Sequence, residues 1–177
     1  KIKFLISHII FITLISILHV GKSQFDPVKY LTQKQEEFLY ISSMEKPNHV
    51  LAIPHINNSL KNIFTDAVPA FFRTLLRPHI FEAREPLILM SAAENLFLLI
   101  MTLLILLSAK RETWINDPLF YFSLSFFIFI FSLIGLIVPV TGAIVRYKIC
   151  ALLFLIFILF SLLQDSWLEK YLTRFNT

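Results

Sequence analysis

The sequence is poor in cysteine and glycine, and each shortage excludes a class of site. Cys150 is the one cysteine in 177 residues, so these residues hold neither an intrachain disulfide nor a cysteine-based metal centre. We expect Cys150 to be a plain buried thiol. Three glycines, at positions 21, 135 and 142, cannot build the loop that cradles a phosphate. A nucleotide site of the glycine-loop type is therefore excluded.

Residues suited to metal binding or hydrolysis are present, but their spacing argues against such sites. The five histidines never stand at ligand spacing with a carboxylate, and Pro54 separates His49 from His55. Nothing in the chain resembles the strand–turn–helix motif that exposes a nucleophilic serine. We therefore expect no catalytic residue, no metal site and no cofactor.

Charged residues are scarce as well. They make up 16% of the chain, against about a quarter in soluble domains. Hydrophobic residues make up 56%, including 19 Phe, and the mean hydropathy is +0.72. The formal net charge is +4, yet no basic stripe with interleaved aromatics points to nucleic acid as a partner. Basic residues instead flank apolar segments, where they favour contacts with lipid headgroups.

Four apolar segments could cross a bilayer: residues 4–20, 87–109, 119–140 and 149–164. A spanning helix needs ~20 residues, so the second and third segments are full-length and the outer two are short. The prediction is an all-α, polytopic membrane helix bundle with about four transmembrane helices. Residues 1–20 hold the first span, residues 21–86 form an extramembrane or interfacial segment, and residues 87–177 hold three spans and a short tail.

The first twenty residues also resemble a signal peptide, with Lys1 and Lys3 before an apolar run. No small-x-small cleavage site follows, so we expect a retained span. Because the chain starts at Lys1 rather than Met, we expect a processed protein or a piece of a longer one.

Two helices are expected within residues 21–86. Asp26-Pro27 places a capping carboxylate before a proline, which predicts a helix start. Residues 59–76 carry apolar side chains at three- and four-residue spacing, which predicts an amphipathic helix that Pro69 kinks or splits. This helix either lies flat in the membrane interface or packs on the other spans.

Pro139 and Gly142 are expected to break the third span, so that residues 141–148 form a tight connection to the fourth. Counting basic residues in the short loops predicts that both termini are cytoplasmic and that residues 21–86 are external.

The segment from Arg77 to Glu85, just before the second span, is rich in charge. One interpretation is an interfacial collar that ends one helix and starts the next. The other is a clamp for a phosphate or carboxylate through Arg77 and Arg84. The candidate residues for an anionic headgroup or phosphate are Arg77, Glu82, Arg84, Arg146 and Lys148.

Glu94 and Asn95 lie inside the second span. An ionised carboxylate there costs several kcal/mol unless it is paired or protonated, so we expect this pair to face the bundle interior. Structural pairing, with Arg146 or Lys148 as candidate partners, and a role in proton or ion passage are the two interpretations.

Several short motifs occur in a defined order along the chain: residues 33–38, 67–72, 76–78 with Glu82, 91–95 and 142–148. This order resembles the C-terminal part of a family of multi-spanning bacterial inner-membrane proteins. Members of that family look like components of the cell-envelope glycan or glycolipid machinery, and their function is not established. Phe81 and Cys150 stand where the family pattern favours Trp and Pro.

The resemblance implies a bacterial inner-membrane location. The first functional hypothesis is a non-catalytic membrane subunit or fragment within a larger cell-envelope assembly. The alternative is part of an enzyme or transporter that acts on polyprenyl-phosphate-linked sugars in polysaccharide synthesis. Expected partners are membrane lipids and either other membrane subunits or a missing N-terminal part of the same protein.

Overall fold

The fold is all-helical. The computed structural model describes residues 26–45, 50–56, 60–82, 85–108 and 117–163. Within these ranges there is no strand, and a 3₁₀ turn, Ile80–Glu82, precedes the third helix. The helices are α1 (Pro27–Glu45), α2 (Leu60–Leu76), α3 (Pro86–Ser108), α4 (Pro118–Ile137) and α5 (Thr141–Leu163).

Three of these helices are long and apolar enough to cross a membrane. They cover Pro86–Leu107, Pro118–Ile137 and Thr141–Leu162. The second and third predicted spans therefore correspond to α3 and α4, and the fourth lies inside α5 as far as residue 163, where the described residues end. The first predicted span, residues 4–20, lies outside the described residues. An integral membrane protein is indicated by these three helices.

The expected connection at residues 141–148 is wrong, because α5 already begins at Thr141. The turn is made by residues 138–140 alone: α4 ends at Ile137, and the N–H of Val138 still bonds to the oxygen of Ile134 at 2.9 Å. The uncharged residues of α5 from Ile149 onward mark its apolar part, whereas the helix itself begins earlier, at Thr141. Arg146 and Lys148 are consequently helical residues.

Two further local expectations have clear outcomes. The helix start at Asp26-Pro27 is confirmed, since Asp26 Oδ1 accepts from the N–H of Val28 at 2.9 Å. Pro69 does not split the predicted helix, because α2 runs unbroken from Leu60 to Leu76.

Helix α4 lies at the centre of the bundle. It packs mainly against α2 and α5 and also contacts α1, whereas α3 packs more lightly on α5. The ring of Phe71 from α2 lies 5.8 Å from that of Phe127 and 6.0 Å from that of Phe131, centroid to centroid. Such aromatic contacts add to the burial of apolar area that holds α2 against α4.

A small-residue contact brings α2 and α4 together at Gly135. A Cβ atom at this position would overlap the carbonyl group of Ala70 and would stand 2.8 Å from Thr74 Oγ1. The two helices can approach this closely only because residue 135 has no side chain.

The apolar residues of α2 divide into two stripes. Ile63, Ala67 and Ala70 contribute to a core cluster with Leu136. The second stripe consists of residues that are each about half exposed or more: Phe64, Val68, Phe72 and Leu76. The other described residues therefore cover only one part of the apolar surface of α2.

Substituting Gly135→Ala should weaken the packing of α2 on α4, because the added methyl group meets backbone atoms that cannot rotate away. We expect the free energy of unfolding to fall by about 1–3 kcal/mol, measured by denaturant titration in detergent micelles. Gly142→Ala is the control, since nothing lies within 4 Å of a Cβ at that position. Equal effects of the two substitutions would contradict the close contact.

Candidate functional site

The carbonyl oxygens at the end of α4 are satisfied by side chains of other helices. The last carbonyls of an α-helix have no partner within the helix. Here Arg73 Nη1 donates to the oxygen of Gly135 at 2.9 Å, and Gln35 Nε2 donates to the oxygen of Leu136 at 2.7 Å. A cation at this position also complements the negative end of the helix dipole.

Gln35 is fully buried and uses both ends of its amide. Nε2 also donates to the oxygen of Pro54 at 2.9 Å, and Oε1 accepts from the N–H of Ile56 at 2.8 Å. One side chain on α1 thus joins α1, residues 50–56 and the end of α4. A further backbone bond, from the N–H of Leu51 to the oxygen of Pro139 at 2.7 Å, holds the same segment against the α4–α5 turn.

The end of α2 is satisfied in the same way, by α3 and α5. Asn95 Nδ2 donates to the oxygen of Leu75 at 3.1 Å, and Lys148 Nζ donates to the oxygen of Arg77 at 3.1 Å. Lys148 Nζ also donates to Asn95 Oδ1 at 2.8 Å. These contacts connect the C-terminal end of α2 to both α3 and α5.

Lys148 is only 4% exposed, which is unusual for a cation. Moving an ammonium group out of water costs several kcal/mol unless hydrogen bonds and nearby charges compensate. Two oxygen acceptors and the negative end of the α2 dipole provide this compensation. The ammonium group of Lys148 therefore contributes to the fold through these two hydrogen bonds.

The charged segment after α2 forms an internal ion pair. Arg77 Nη1 lies 3.1 Å from Glu82 Oε1, and His79 Nε2 lies 3.2 Å from the same oxygen. Since the guanidinium group of Arg77 is paired within its own segment, this geometry favours the interfacial collar over the phosphate clamp. Arg84, the second arginine of the expected clamp, lies outside the described residues.

The structure brings together three of the predicted ligand residues, Arg77, Glu82 and Lys148, through the side chain and carbonyl group of Arg77. It leaves Arg146 apart from them: that side chain is exposed, and its Nε makes a long 3.4 Å bond to the oxygen of Gly142 in its own helix.

Of the two polar residues predicted inside the second span, Asn95 is buried and bonded to Lys148. The expectation that Glu94 also faces the bundle interior is wrong for the described residues, because its side chain is exposed. Glu94 is exposed and forms no ion pair with any residue in the described ranges. It lines a cleft of about 310 Å³ between α3 and α5, whose other polar residues are Ser91, Asn95 and Lys148.

Three outcomes were not expected from the sequence. Gln35 and Arg73 donate hydrogen bonds to the carbonyl groups at the end of another helix, α4. The sequence does hold a signal for the burial of Gln35, because this amide stands among apolar residues at helical spacing. The expected burial of Cys150 is wrong, because this residue is exposed on α5.

No family model, no curated protein and no solved structure matches this chain. The resemblance to the bacterial envelope family therefore stays a prediction.

Substituting Lys148→Met should destabilise the bundle, because the oxygens of Arg77 and Asn95 lose their donor while they stay buried. We expect a loss of about 2–4 kcal/mol in the free energy of unfolding, measured in detergent micelles. Arg146→Met removes a neighbouring but exposed cation and should have little effect. Equal stability of the two variants would show that the buried contacts of Lys148 are unimportant.

Gln35→Leu should release residues 50–56 from the bundle, because the Ile56 N–H and two carbonyl oxygens would lose their partner. Limited proteolysis in micelles should cut this segment faster in the variant than in the native protein. Gln33→Leu, at an exposed position of the same helix, is the control. Unchanged cleavage in Gln35→Leu would contradict the role of the amide.

Proposed function

We propose that this chain is a non-catalytic integral membrane subunit that works within a larger assembly of the bacterial cell envelope. The observation that carries this proposal is the use of polar side chains inside the fold. Arg77 and Glu82, which could otherwise hold an anionic substrate, form an ion pair with each other instead. In this proposal the chemistry belongs to a partner.

The surface of α3 supports the same proposal. In the apolar window of α3 only 17% of residues are buried, against 39% in α4 and in α5. The uncovered face carries bulky apolar side chains along its whole length: Met90, Phe97, Ile100 and Leu107. In this proposal a transmembrane helix of a partner, or of a further part of the same protein, packs on this face.

The proposed architecture has four spans, with residues 4–20 as the first, and both termini in the cytoplasm. Helix α2 would combine the two alternatives for its position. Its inner stripe packs on α4, and its exposed stripe, which includes Phe64 and Phe72, would rest among the acyl chains near the interface.

A photo-crosslinking amino acid at Phe97 tests the proposal in native membranes. We expect a covalent adduct with another protein, visible as a discrete shift in mass on a denaturing gel. The purified chain in liposomes, without other proteins, is the control and should give lipid adducts alone. Lipid adducts alone in native membranes, at Phe97 and also at Met90 and Leu107, would contradict a partner on this face.

A second function is favoured by the α3–α5 cleft. Its mixture of polar and apolar lining residues suits part of an enzyme or transporter that handles lipid-linked sugars. Arg77→Ala separates the two proposals. It should abolish binding of a polyprenyl phosphate if the chain handles such lipids, whereas in a subunit it should disturb only stability and assembly, through the lost pair with Glu82.

A further inference from the structure

The α3–α5 cleft has a polar end and an apolar end. Ser91, Glu94 and Asn95 come from the first half of α3, and Lys148 comes from the first half of α5, where the apolar Val145 and Ile149 flank it in the cleft wall. The residues that line the cleft further along both helices are apolar: Leu98, Leu152, Leu153 and Ile156.

The change from polar to apolar along the cleft matches the change from headgroups to acyl chains across one lipid leaflet. Three consecutive spans alternate in direction, so α3 and α5 cross the membrane in the same sense and their first halves lie at the same face. The hydrogen bond between Asn95 and Lys148 holds these two side chains at the same level of the bundle. The polar end of the cleft is therefore the end nearer that membrane face, and the apolar end points toward the bilayer centre.

The polar end carries two opposite charges, Glu94 and Lys148, which attract each other but form no ion pair at contact distance. Lys148 donates to two uncharged oxygens, and an ammonium group has a third N–H to give. The carboxylate of Glu94 has no ion pair among the described residues. A ligand that contains both an anion and a cation would satisfy both residues at once.

We propose that this cleft binds one phospholipid with a zwitterionic headgroup that ends in a primary ammonium group. Its phosphate meets Lys148, its ammonium group donates to Glu94 and Ser91, and one acyl chain lies between the apolar residues of α3 and α5. This proposal fits the chain as a membrane subunit and competes with the second proposed function, because both would place a lipid in the same cleft.

The chemistry of the cleft discriminates among lipids. The carboxylate of Glu94 repels a purely anionic headgroup, such as a phosphatidylglycerol or a polyprenyl phosphate. A choline headgroup carries a positive charge but no N–H, so it cannot donate to Glu94 or Ser91. Phosphatidylethanolamine has both the charge and the donors.

Native mass spectrometry of the full chain in mild detergent tests the proposal. The probes are phosphatidylethanolamine, phosphatidylglycerol and phosphatidylcholine with the same acyl chains, and a polyprenyl phosphate. We expect one molecule of phosphatidylethanolamine per chain, bound on the order of fivefold more tightly than the other three lipids. Equal or tighter binding of any of those lipids would overturn the proposal.

Two substitutions locate the headgroup and the chain. Glu94→Gln, at an exposed position, should remove the preference over phosphatidylglycerol, whereas Arg146→Gln should retain it. Leu153→Trp should abolish saturable lipid binding by filling the cleft, whereas Ile128→Trp, at an exposed position of α4, should not. A retained preference in Glu94→Gln, or retained binding in Leu153→Trp, would place the lipid elsewhere and overturn the proposal.

Discussion

The last backbone carbonyl groups of a helix need hydrogen-bond donors where water cannot reach them. In this bundle, side chains of other helices supply those donors. An unpaired backbone group in an apolar environment costs several kcal/mol. At the end of α4 the donors are Gln35 of α1 and Arg73 of α2. At the end of α2 they are Asn95 of α3 and Lys148 of α5. These side chains connect all five described helices, whereas apolar packing alone would hold α3 only weakly.

This constraint also explains how polar residues can be buried in apolar surroundings. Lys148 and Asn95 would each be costly alone, yet together with the carbonyl groups at the end of α2 they form a satisfied network. Of the candidate residues in the described ranges, two lie outside this network: Glu94 beside the α3–α5 cleft and Arg146 on the surface. The first supports a lipid-binding cleft, and the bare outer face of α3 supports a partner within the membrane.

The sequence predicted α3 and α4 well, because long stretches without charge have few alternatives to a spanning helix. It predicted the start of α1 from Asp26-Pro27, where the capping group is local. It failed at the start of α5, because Arg146 and Lys148 resemble a loop when read by charge alone. The burial of Lys148 depends on which faces of distant helices meet, and no local pattern contains that information. For Gln35 the local pattern indicates burial but not the bonding partners. The same limit explains why Cys150 was assigned to the wrong face.

The central claim is that Lys148 and Asn95 act as one unit at the end of α2. A double-mutant cycle with Asn95→Ala and Lys148→Met, measured as the free energy of unfolding in micelles, tests it most directly. The account predicts that the double variant loses less stability than the sum of the single variants, with a coupling energy of about 1–2 kcal/mol. Additivity within about 0.3 kcal/mol would contradict the account.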